Sequence, residues 1–320
     1  MNEADAIERL RRFATDPAAR GLADDAALFD GLVITHDSIA EGVHFRTGDP
    51  APSVAWKLVA VNLSDLAAKG ATPAAALLSL TIGKGSGWDA AFIDGIEVAC
   101  TTFGLSLIGG DTIALPQGAP RVFGLTAIGR AGRHTPSRSG AKPGDRLWLV
   151  GTVGDSAAGL AQLKQDPSAA GLLVEAYRRP VPLLAAGQAL APKAGAMMDV
   201  SDGLLLDTRR LAEASGCCVT VDLDALPLSD AFIAERGGGL EARLFAATGG
   251  DDYALVAALP PKLDPLRLSL PSGTSIRCIG TLAADGDILQ LVSNGLPIAL
   301  PESLGHEHHG NSASPVAGRV

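Results

Sequence analysis

Residues 53–82, SVAWKLVAVNLSDLAAKGATPAAALLSLTI, decide the fold class because they place a helix directly before a strand. Pro52 precedes this segment and Gly70 interrupts it, and a helix commonly begins just after proline and ends at glycine. We therefore expect a helix over residues 53–69. The apolar run AALLSLTI at 75–82 predicts a buried strand. A helix that leads straight into a strand is typical of a layered α/β or α+β domain.

The sequence on both sides of this segment continues the alternation of helices and strands. Further helices are predicted at 3–14, where apolar residues recur at helical spacing, and at 88–104, which ends at glycine. Short apolar runs predict strands at 32–35, at 105–108, where Gly109 and Gly110 break the run, and at 122–129.

A polar stretch rich in Gly, Pro and Ser, AGRHTPSRSGAKPGD at 131–145, predicts a domain boundary. We divide the chain into domains at 1–135 and 136–305, followed by a disordered tail at 306–320. The second domain is expected to be α/β as well. Its strands are predicted at 146–151, 196–200, 218–223, 253–259, 275–282 and 287–292, with largely helical sequence at 155–190 and a helix at 203–215.

Charge and composition exclude several classes of protein. The 320 residues carry 26 Lys and Arg against 35 Asp and Glu, a net charge of −9, which argues against a protein that coats nucleic acid. A nucleotide ligand stays open, because a metal ion can supply positive charge. No apolar run is long enough to span a membrane, the amino-terminal sequence lacks a signal-peptide pattern, and the four cysteines show no zinc spacing. We expect a cytoplasmic protein with reduced thiols.

Aspartates occur repeatedly at predicted strand ends or beside glycine. Each one alone is ordinary turn or cap chemistry, but the whole set is difficult to explain in this way. Carboxylates near apolar strands need a counter-charge, and oxygen ligands suit Mg²⁺, which usually serves a phosphate-bearing substrate. The sequence therefore predicts nucleotide phosphoryl chemistry. The set comprises Asp24, Asp25, Asp37, Asp65, Asp111, Asp199, Asp202, Asp251 and Asp252.

The common nucleotide-binding motifs are absent from the sequence. There is no GxxxxGK[ST] loop, no HRD or DFG pair, and no GxGxxG after a strand. The glycine-rich segment at 151–159 could approach a phosphate, but we interpret it as a strand-to-helix turn capped by Asp155. His44 is equally well explained as a packed residue or as a ligand contact.

Eight segments together resemble the thiamine-monophosphate kinase family, within the superfamily of aminoimidazole ribonucleotide synthetase and selenophosphate synthetase. They occur in the expected order between about residues 20 and 300. They read GLADDAAL, THDSIAEGVHF, VNLSDLAAKGATP, LIGGDT, TPSRSGAKPGD, GTVGDSAAGL, MDVSDGLLLD and TGGDDY. The resemblance implies two α/β domains, with the amino-terminal sheets joined across a homodimer. It also implies transfer of the γ-phosphoryl group of ATP to thiamine monophosphate, assisted by several Mg²⁺ ions.

The resemblance also implies roles for individual residues, and it assigns no general base. Binding of ATP would involve Gly110, Asp111, Arg138 and Ser201, and His44 and Asp251 would contact the acceptor. The metal ligands would be Asp25, Thr35, His36, Asp37, Asp65, Asp111, Asp199 and Asp202. A phosphate monoester has a second pKa of about 6, so the acceptor is already an anionic nucleophile at neutral pH.

The chain departs from the family pattern at three places. His36 stands where the family has a hydroxyl residue, which a backbone carbonyl ligand would tolerate. Asp251 replaces a glutamate, and no tryptophan follows Trp148. Two alternatives therefore stay open at this point: another ATP-using enzyme of the superfamily, or a non-catalytic protein that senses nucleotide or thiamine phosphate. A selenium chemistry is disfavoured, because no reactive cysteine lies near the amino terminus.

Overall fold

The fold was analysed in a computed structural model that describes residues 3–83 and 87–306. The first part forms a five-stranded sheet in the order β1-β2-β5-β3-β4, in which only β3 and β4 pair in parallel. Its elements are α1 (Glu3–Arg11), β1 (Ala27–Phe29), β2 (Leu32–Ala40), α2 (Ala51–Ala68), β3 (Thr72–Ile82), α3 (Gly87–Phe103), β4 (Ser106–Ala114) and β5 (Val122–Arg130).

The second part forms a seven-stranded sheet in the order β12-β11-β8-β10-β6-β9-β7, antiparallel except for the β8–β11 pair. Its strands are β6 (Arg146–Val150), β7 (Ala196–Val200), β8 (Cys218–Asp222), β9 (Ala254–Leu259), β10 (Ile276–Ala283), β11 (Leu289–Ser293) and β12 (Leu296–Ile298). Its helices are α4 (Asp155–Gln165), α5 (Leu172–Arg178), α6 (Leu184–Leu190), α7 (Leu204–Ser215), α8 (Asp230–Arg236) and α9 (Leu240–Thr248). The mixed α/β architecture predicted from the sequence is confirmed.

Helix α2 is buried almost all round, because it packs on both halves of the molecule. Leu58 and Leu63 belong to the core beneath the first sheet, whereas Ala67 and Ala68 belong to a core under the second sheet. The contact with α6 is made at Gly187, where an added Cβ would lie 2.0 Å from the carbonyl oxygen of Ala67. Polar side chains on α2 are therefore held in the region between the two sheets.

Three predicted elements end in different places in the structure. Strand β2 continues to Ala40, so Asp37 lies within a strand rather than after it. Strand β4 runs through Gly109 and Gly110 instead of stopping there, because its pairing with β3 continues after a register shift. The helical sequence at 155–190 forms three short helices, which are separated by segments that contain Pro167, Pro180 and Pro182.

The described residues contain no helix with the length and apolar character needed to cross a membrane. Residue 306 is the first of the predicted tail, and its backbone N–H donates to the carbonyl oxygen of Asp202 at 2.8 Å. The predicted disorder of the rest of the tail, 307–320, concerns residues outside those that the structure describes. The boundary at residues 135 and 136 stays a prediction.

Candidate active site

A cavity of about 1050 Å³ lies between the two halves and is lined by residues from both. The first half contributes the end of α2 together with strand β2 and the segments around it. The second half contributes β7, the loop after it and the segment that precedes β9. Ten of the residues that the sequence singled out line this cavity: Asp24, Asp25, Asp37, His44, Asp65, Arg138, Asp199, Ser201, Asp202 and Asp251.

Three carboxylates form a cluster in this cavity. Asp65 comes from α2, Asp199 from β7 and Asp25 from the loop before β1, and one oxygen of each lies within 4.8 Å of the others. Asp65 and Asp199 are 8% and 3% exposed, so water solvates them poorly. Burying several carboxylates together is prohibitive without cations or protons to neutralise them.

The pKa values of the clustered acids reflect this cost. Burial raises the pKa of Asp65 well above its usual range, and the nearby Asp37, Asp199 and Asp25 carboxylates raise it further. Burial likewise raises the pKa of Asp199, with Asp25 the strongest of its charged neighbours. Asp37 behaves in the same way, since burial raises its pKa more than the charge of His36 lowers it.

The positive charge near the cluster is concentrated on one of its acids. Lys69 Nζ lies 2.6 Å from Asp25, and Arg138 Nε donates to the other Asp25 oxygen at 2.5 Å. Within the described part of the chain, no basic side chain forms an ion pair with Asp65 or Asp199. The remaining carboxylate oxygens are hard ligands of the kind that divalent cations such as Mg²⁺ bind. The donor set therefore fits the metal that the family implies.

Strand alternation separates two of the predicted metal ligands. Thr35 is buried, faces the cluster and donates its hydroxyl hydrogen to the Asp65 carboxylate. His36 points to the opposite face of β2, where its Nδ1 lies 2.9 Å from the hydroxyl of Thr126. A histidine side chain on that face does not join the acids, so of the two ways in which His36 could serve as a ligand, the side chain is turned away from the cluster. Only its backbone carbonyl remains available to a metal.

The loop after β7 is held by a carboxylate that sequence reasoning did not assign. Oδ2 of Asp207 accepts the backbone N–H groups of Ser201 at 3.0 Å and Asp202 at 3.0 Å. Burial raises the pKa of Asp207 to about 7, and the neighbouring Asp202 adds to the shift. Arg210 forms ion pairs with both Asp202 and Asp207. Asp202 therefore lines the cavity with the guanidinium group of Arg210 beside it.

The part of the cavity that contains His44 and Asp251 has a separate polar network. Asp251 Oδ2 pairs with Lys57 Nζ at 2.8 Å, and Oδ1 accepts from the Tyr253 hydroxyl at 2.8 Å. His44 Nδ1 accepts the backbone N–H of Ala40 at 3.1 Å. Both predicted acceptor contacts thus line one cavity together with the acid cluster.

The neighbouring Asp252 has a different function from Asp251. It is partly buried and accepts the backbone N–H groups of Gly154 at 2.8 Å and Ser156 at 3.4 Å, at the start of α4. The segment at 151–159 is indeed a strand-to-helix turn. The predicted cap, however, is wrong: Asp252 caps these amides, and Asp155 accepts instead from the hydroxyls of Thr152 and Ser229.

Gly110 and Asp111 do not join the cluster within one chain. Asp111 lies on β4, where it is exposed and borders a second groove against α3. In the sheet, β5 and β3 separate β4 from β2, which corresponds to about 14 Å at the usual strand spacing. The predicted contribution of Gly110 and Asp111 to the same site is therefore not made by a single copy.

Two buried lysines and one arginine near the site were not found by sequence reasoning. Lys57 and Lys69 are 2% and 0% exposed; Lys57 lies inside the apolar helix α2, and Lys69 directly follows its last residue. A lysine inside a helical segment that is apolar on all faces is the signal that could have revealed Lys57. Arg210 had no comparable signal, since it lies on an ordinary amphipathic helix.

Two family models match this chain and define its class. Residues 23–131 match the family model described as AIR synthase related protein, N-terminal domain. Residues 142–269 match the one described as AIR synthase related protein, C-terminal domain. The first match covers the whole five-stranded sheet, and the second covers β6 to β9 of the seven-stranded sheet, so the fold belongs to the AIR synthase related class.

Individual relatives identify the family within this class. The chain is 38% identical over 317 residues to thiamine-monophosphate kinase of Salmonella typhimurium, covering 94% of this chain and 95% of the relative. It is 43% identical over 275 residues to the Caulobacter vibrioides thiamine-monophosphate kinase, covering 81% and 77%. A solved structure of AaThiL complexed with AMPPCP and TMP superimposes with a TM-score of 0.81 at 26% identity, covering 95% of this chain and 97% of that one. The chain therefore belongs to the thiamine-monophosphate kinase family.

Proposed function

We propose that this chain phosphorylates thiamine monophosphate to thiamine diphosphate with ATP as the phosphoryl donor. The observation that carries the proposal is the buried cluster of Asp25, Asp65 and Asp199 in a cavity large enough for two substrates. The names of the relatives support the acceptor. The AaThiL complex supports both substrates, because AMPPCP is an ATP analogue and TMP is the acceptor named with it.

We further propose that Mg²⁺ is held by the acids of this cavity. Its ligands would be the carboxylates of Asp25, Asp37, Asp65, Asp199 and Asp202, with Thr35 and the main chain of His36 beside them. When bound, Mg²⁺ supplies charge neutralisation for the phosphate oxygens. The hydroxyl of Thr35 donates to the Asp65 carboxylate and orients it, so this ligand would be in position without a bound cation.

The protein's own residues would position the two substrates for in-line transfer. Arg138 carries a fixed charge next to Asp25, and Ser201 lies in the loop held by Asp207, so both can contact the triphosphate. His44 and Asp251 would contact the acceptor. No general base is required, since the attacking phosphate of the acceptor is already ionised near neutral pH.

We propose that the active form is a homodimer in which the partner's Asp111 completes the site. Strand β4 is an exposed edge, and Leu107, Ile108 and Ile113 on it are each about half exposed. An apolar edge of this kind is suited to pairing with a second copy. This arrangement reconciles the family role of Asp111 with its distance from the cluster in one chain.

A cytoplasmic location accompanies this proposal. The four cysteines are unpaired, and Cys100 and Cys217 are buried. Reduced thiols of this kind are usual in a reducing compartment.

The acceptor is tested by measuring ATP consumption with Mg²⁺ in the presence of thiamine, thiamine monophosphate and related pyrimidine and thiazole phosphates. We expect stimulation by thiamine monophosphate alone, with thiamine diphosphate as the product. Stimulation by another phosphate in its place would assign the chain to a different reaction of the superfamily. Binding of ATP and thiamine monophosphate without turnover would favour a sensor.

A further inference from the structure

Lys57 connects the two halves of the molecule through three contacts. It lies on α2, only 2% exposed, and its Nζ donates to Asp251 Oδ2 at 2.8 Å and to the carbonyl oxygen of His44 at 3.0 Å. The same ammonium lies 4.2 Å from the ring centroid of Tyr177 on α5. An ammonium has three N–H donors, and these three contacts account for all of them. Lys57 itself does not line the cavity, so its effect on a substrate would pass through Asp251 or His44, which do.

The partner carboxylate, Asp251, is held in a single arrangement. Its backbone has φ +67°, a left-handed conformation that a non-glycine residue adopts only when its surroundings enforce it. The backbone N–H donates to the carbonyl oxygen of Ser201 at 2.7 Å, and Oδ1 accepts from Tyr253. With Oδ2 bound to Lys57, both carboxylate oxygens are fixed, yet 26% of the side chain remains exposed to the cavity.

The positive charge of Lys57 is neutralised by the Asp251 carboxylate. A buried ammonium is costly unless a counter-charge and hydrogen-bond acceptors surround it, and Asp251 supplies the counter-charge. Tyr177 adds its ring face and also donates its hydroxyl hydrogen to Asp49 at 3.3 Å, which secures the ring. Lys57 is not paired with any acid of the Asp25, Asp65 and Asp199 cluster, so the metal assignment does not account for it.

We propose that Lys57 is a positioning residue that fixes Asp251 and the main chain at His44 relative to each other and thereby sets the affinity for the acceptor. The inference rests on the proposed function, which places both residues at the acceptor. Lys57 comes from the first half and Asp251 from the second, so the contact also fixes the width of the cavity on the acceptor side. The donor side, with Arg138 and Ser201, has its own contacts and does not depend on Lys57.

The test measures kcat and the KM of each substrate for wild type, Lys57→Met, Asp251→Asn and the double variant. We expect Lys57→Met to raise the KM for thiamine monophosphate roughly tenfold, as for coupled residues in contact. The KM for ATP and kcat should stay within about twofold of wild type. Because Lys57 acts through Asp251, the double variant should match Asp251→Asn alone within about twofold. Lys193→Met, an exposed lysine outside the cavity, is the matched control.

Several outcomes overturn this proposal without affecting the proposed function. One is an unchanged KM for thiamine monophosphate in folded Lys57→Met, and another is an equal rise in the KM values of both substrates. The third is a KM for thiamine monophosphate in the double variant that rises by the product of the two single-variant increases. If Lys57→Met does not fold, Lys57→Gln keeps a donor for the His44 carbonyl and should give the same selective rise in the KM for thiamine monophosphate. Failure of both variants to fold would assign Lys57 a purely structural role. Wild-type protein that makes no thiamine diphosphate contradicts the proposed function itself.

Discussion

Lys69 and Asp25 form a fully buried ion pair at the edge of the acid cluster, with Nζ 2.6 Å from the carboxylate. The same ammonium pairs with Asp24 and donates to the carbonyl oxygen of Met197 at 3.0 Å, so it joins the first sheet's loop to strand β7. It places an ammonium group between the carboxylates of Asp24 and Asp25. The cavity therefore combines a built-in cation at Asp25 with carboxylates that lack one.

We expect Lys69→Met to lower the free energy of unfolding by about 3 kcal/mol, because removing one partner leaves buried carboxylates without their counter-charge. Mg²⁺ should restore more stability to this variant than it adds to wild type, since a bound cation can replace part of the lost charge. Urea unfolding with and without Mg²⁺ measures both effects, with the exposed Lys142→Met as control. A variant as stable as wild type in the absence of metal would show that Lys69 is not needed for neutrality.

Asp65→Asn should abolish turnover and leave the fold intact. Burial and three nearby carboxylates raise the pKa of Asp65, so a neutral amide should leave the melting temperature without Mg²⁺ unchanged or higher. The rise in melting temperature on adding Mg²⁺ should shrink, because a ligand is lost. If Asp65 were only a helix residue, the variant would instead lose about 1 kcal/mol of stability and keep its rate. Melting curves and rates measured on the same samples separate the two accounts.

Asp111→Asn should also abolish turnover, and mixing it with Asp65→Asn tests whether the site spans two chains. In a mixed dimer, one site would combine an intact Asp65 with the partner's Asp111, while the other would lack both. Refolding the two inactive variants together should therefore restore about a quarter of wild-type activity. Sedimentation should show a dimer at micromolar concentration. No recovery on mixing, or a fully active monomer, would contradict the shared site.

The pH dependence of stability should depend on Asp252. Burial raises the pKa of this carboxyl well above its usual range and outweighs the hydrogen bonds from Gly154 and Ser156, which lower it. A raised folded-state pKa means that its contribution to stability is present at acid pH and is lost as pH rises through that value. Asp252→Asn cannot ionise, so it should gain stability relative to wild type as the pH rises from about 4, the ordinary pKa of an aspartate, toward neutrality. A difference in melting temperature that is constant over this range would contradict the raised pKa.

Much of the fold followed from local signals, and the failures have identifiable physical reasons. Proline and glycine marked the ends of α2 correctly to within two residues. Gly110 was interpreted as a strand break, but an added Cβ there would lie 2.0 Å from the carbonyl oxygen of Leu78, so its backbone is packed against the neighbouring strand. This close contact between β4 and β3 depends on a strand that is distant in sequence, so the residues around Gly110 alone cannot predict it.

The candidate site was predicted unevenly for a related reason. Acidic residues at strand ends and beside glycine are visible in a sequence, and most of them line the cavity. The direction of a side chain on an extended strand was not anticipated, because β2 was expected to end before His36. Lys57 and Arg210 were missed because their importance comes from partners that only the tertiary structure brings to them.

Following the terminal phosphate of γ-labelled ATP in the presence of thiamine monophosphate distinguishes phosphoryl transfer from hydrolysis of ATP. The label should appear in thiamine diphosphate, with one ADP formed for each, and only when Mg²⁺ is present. Label released as inorganic phosphate, with none in thiamine diphosphate, would contradict the proposed phosphoryl transfer.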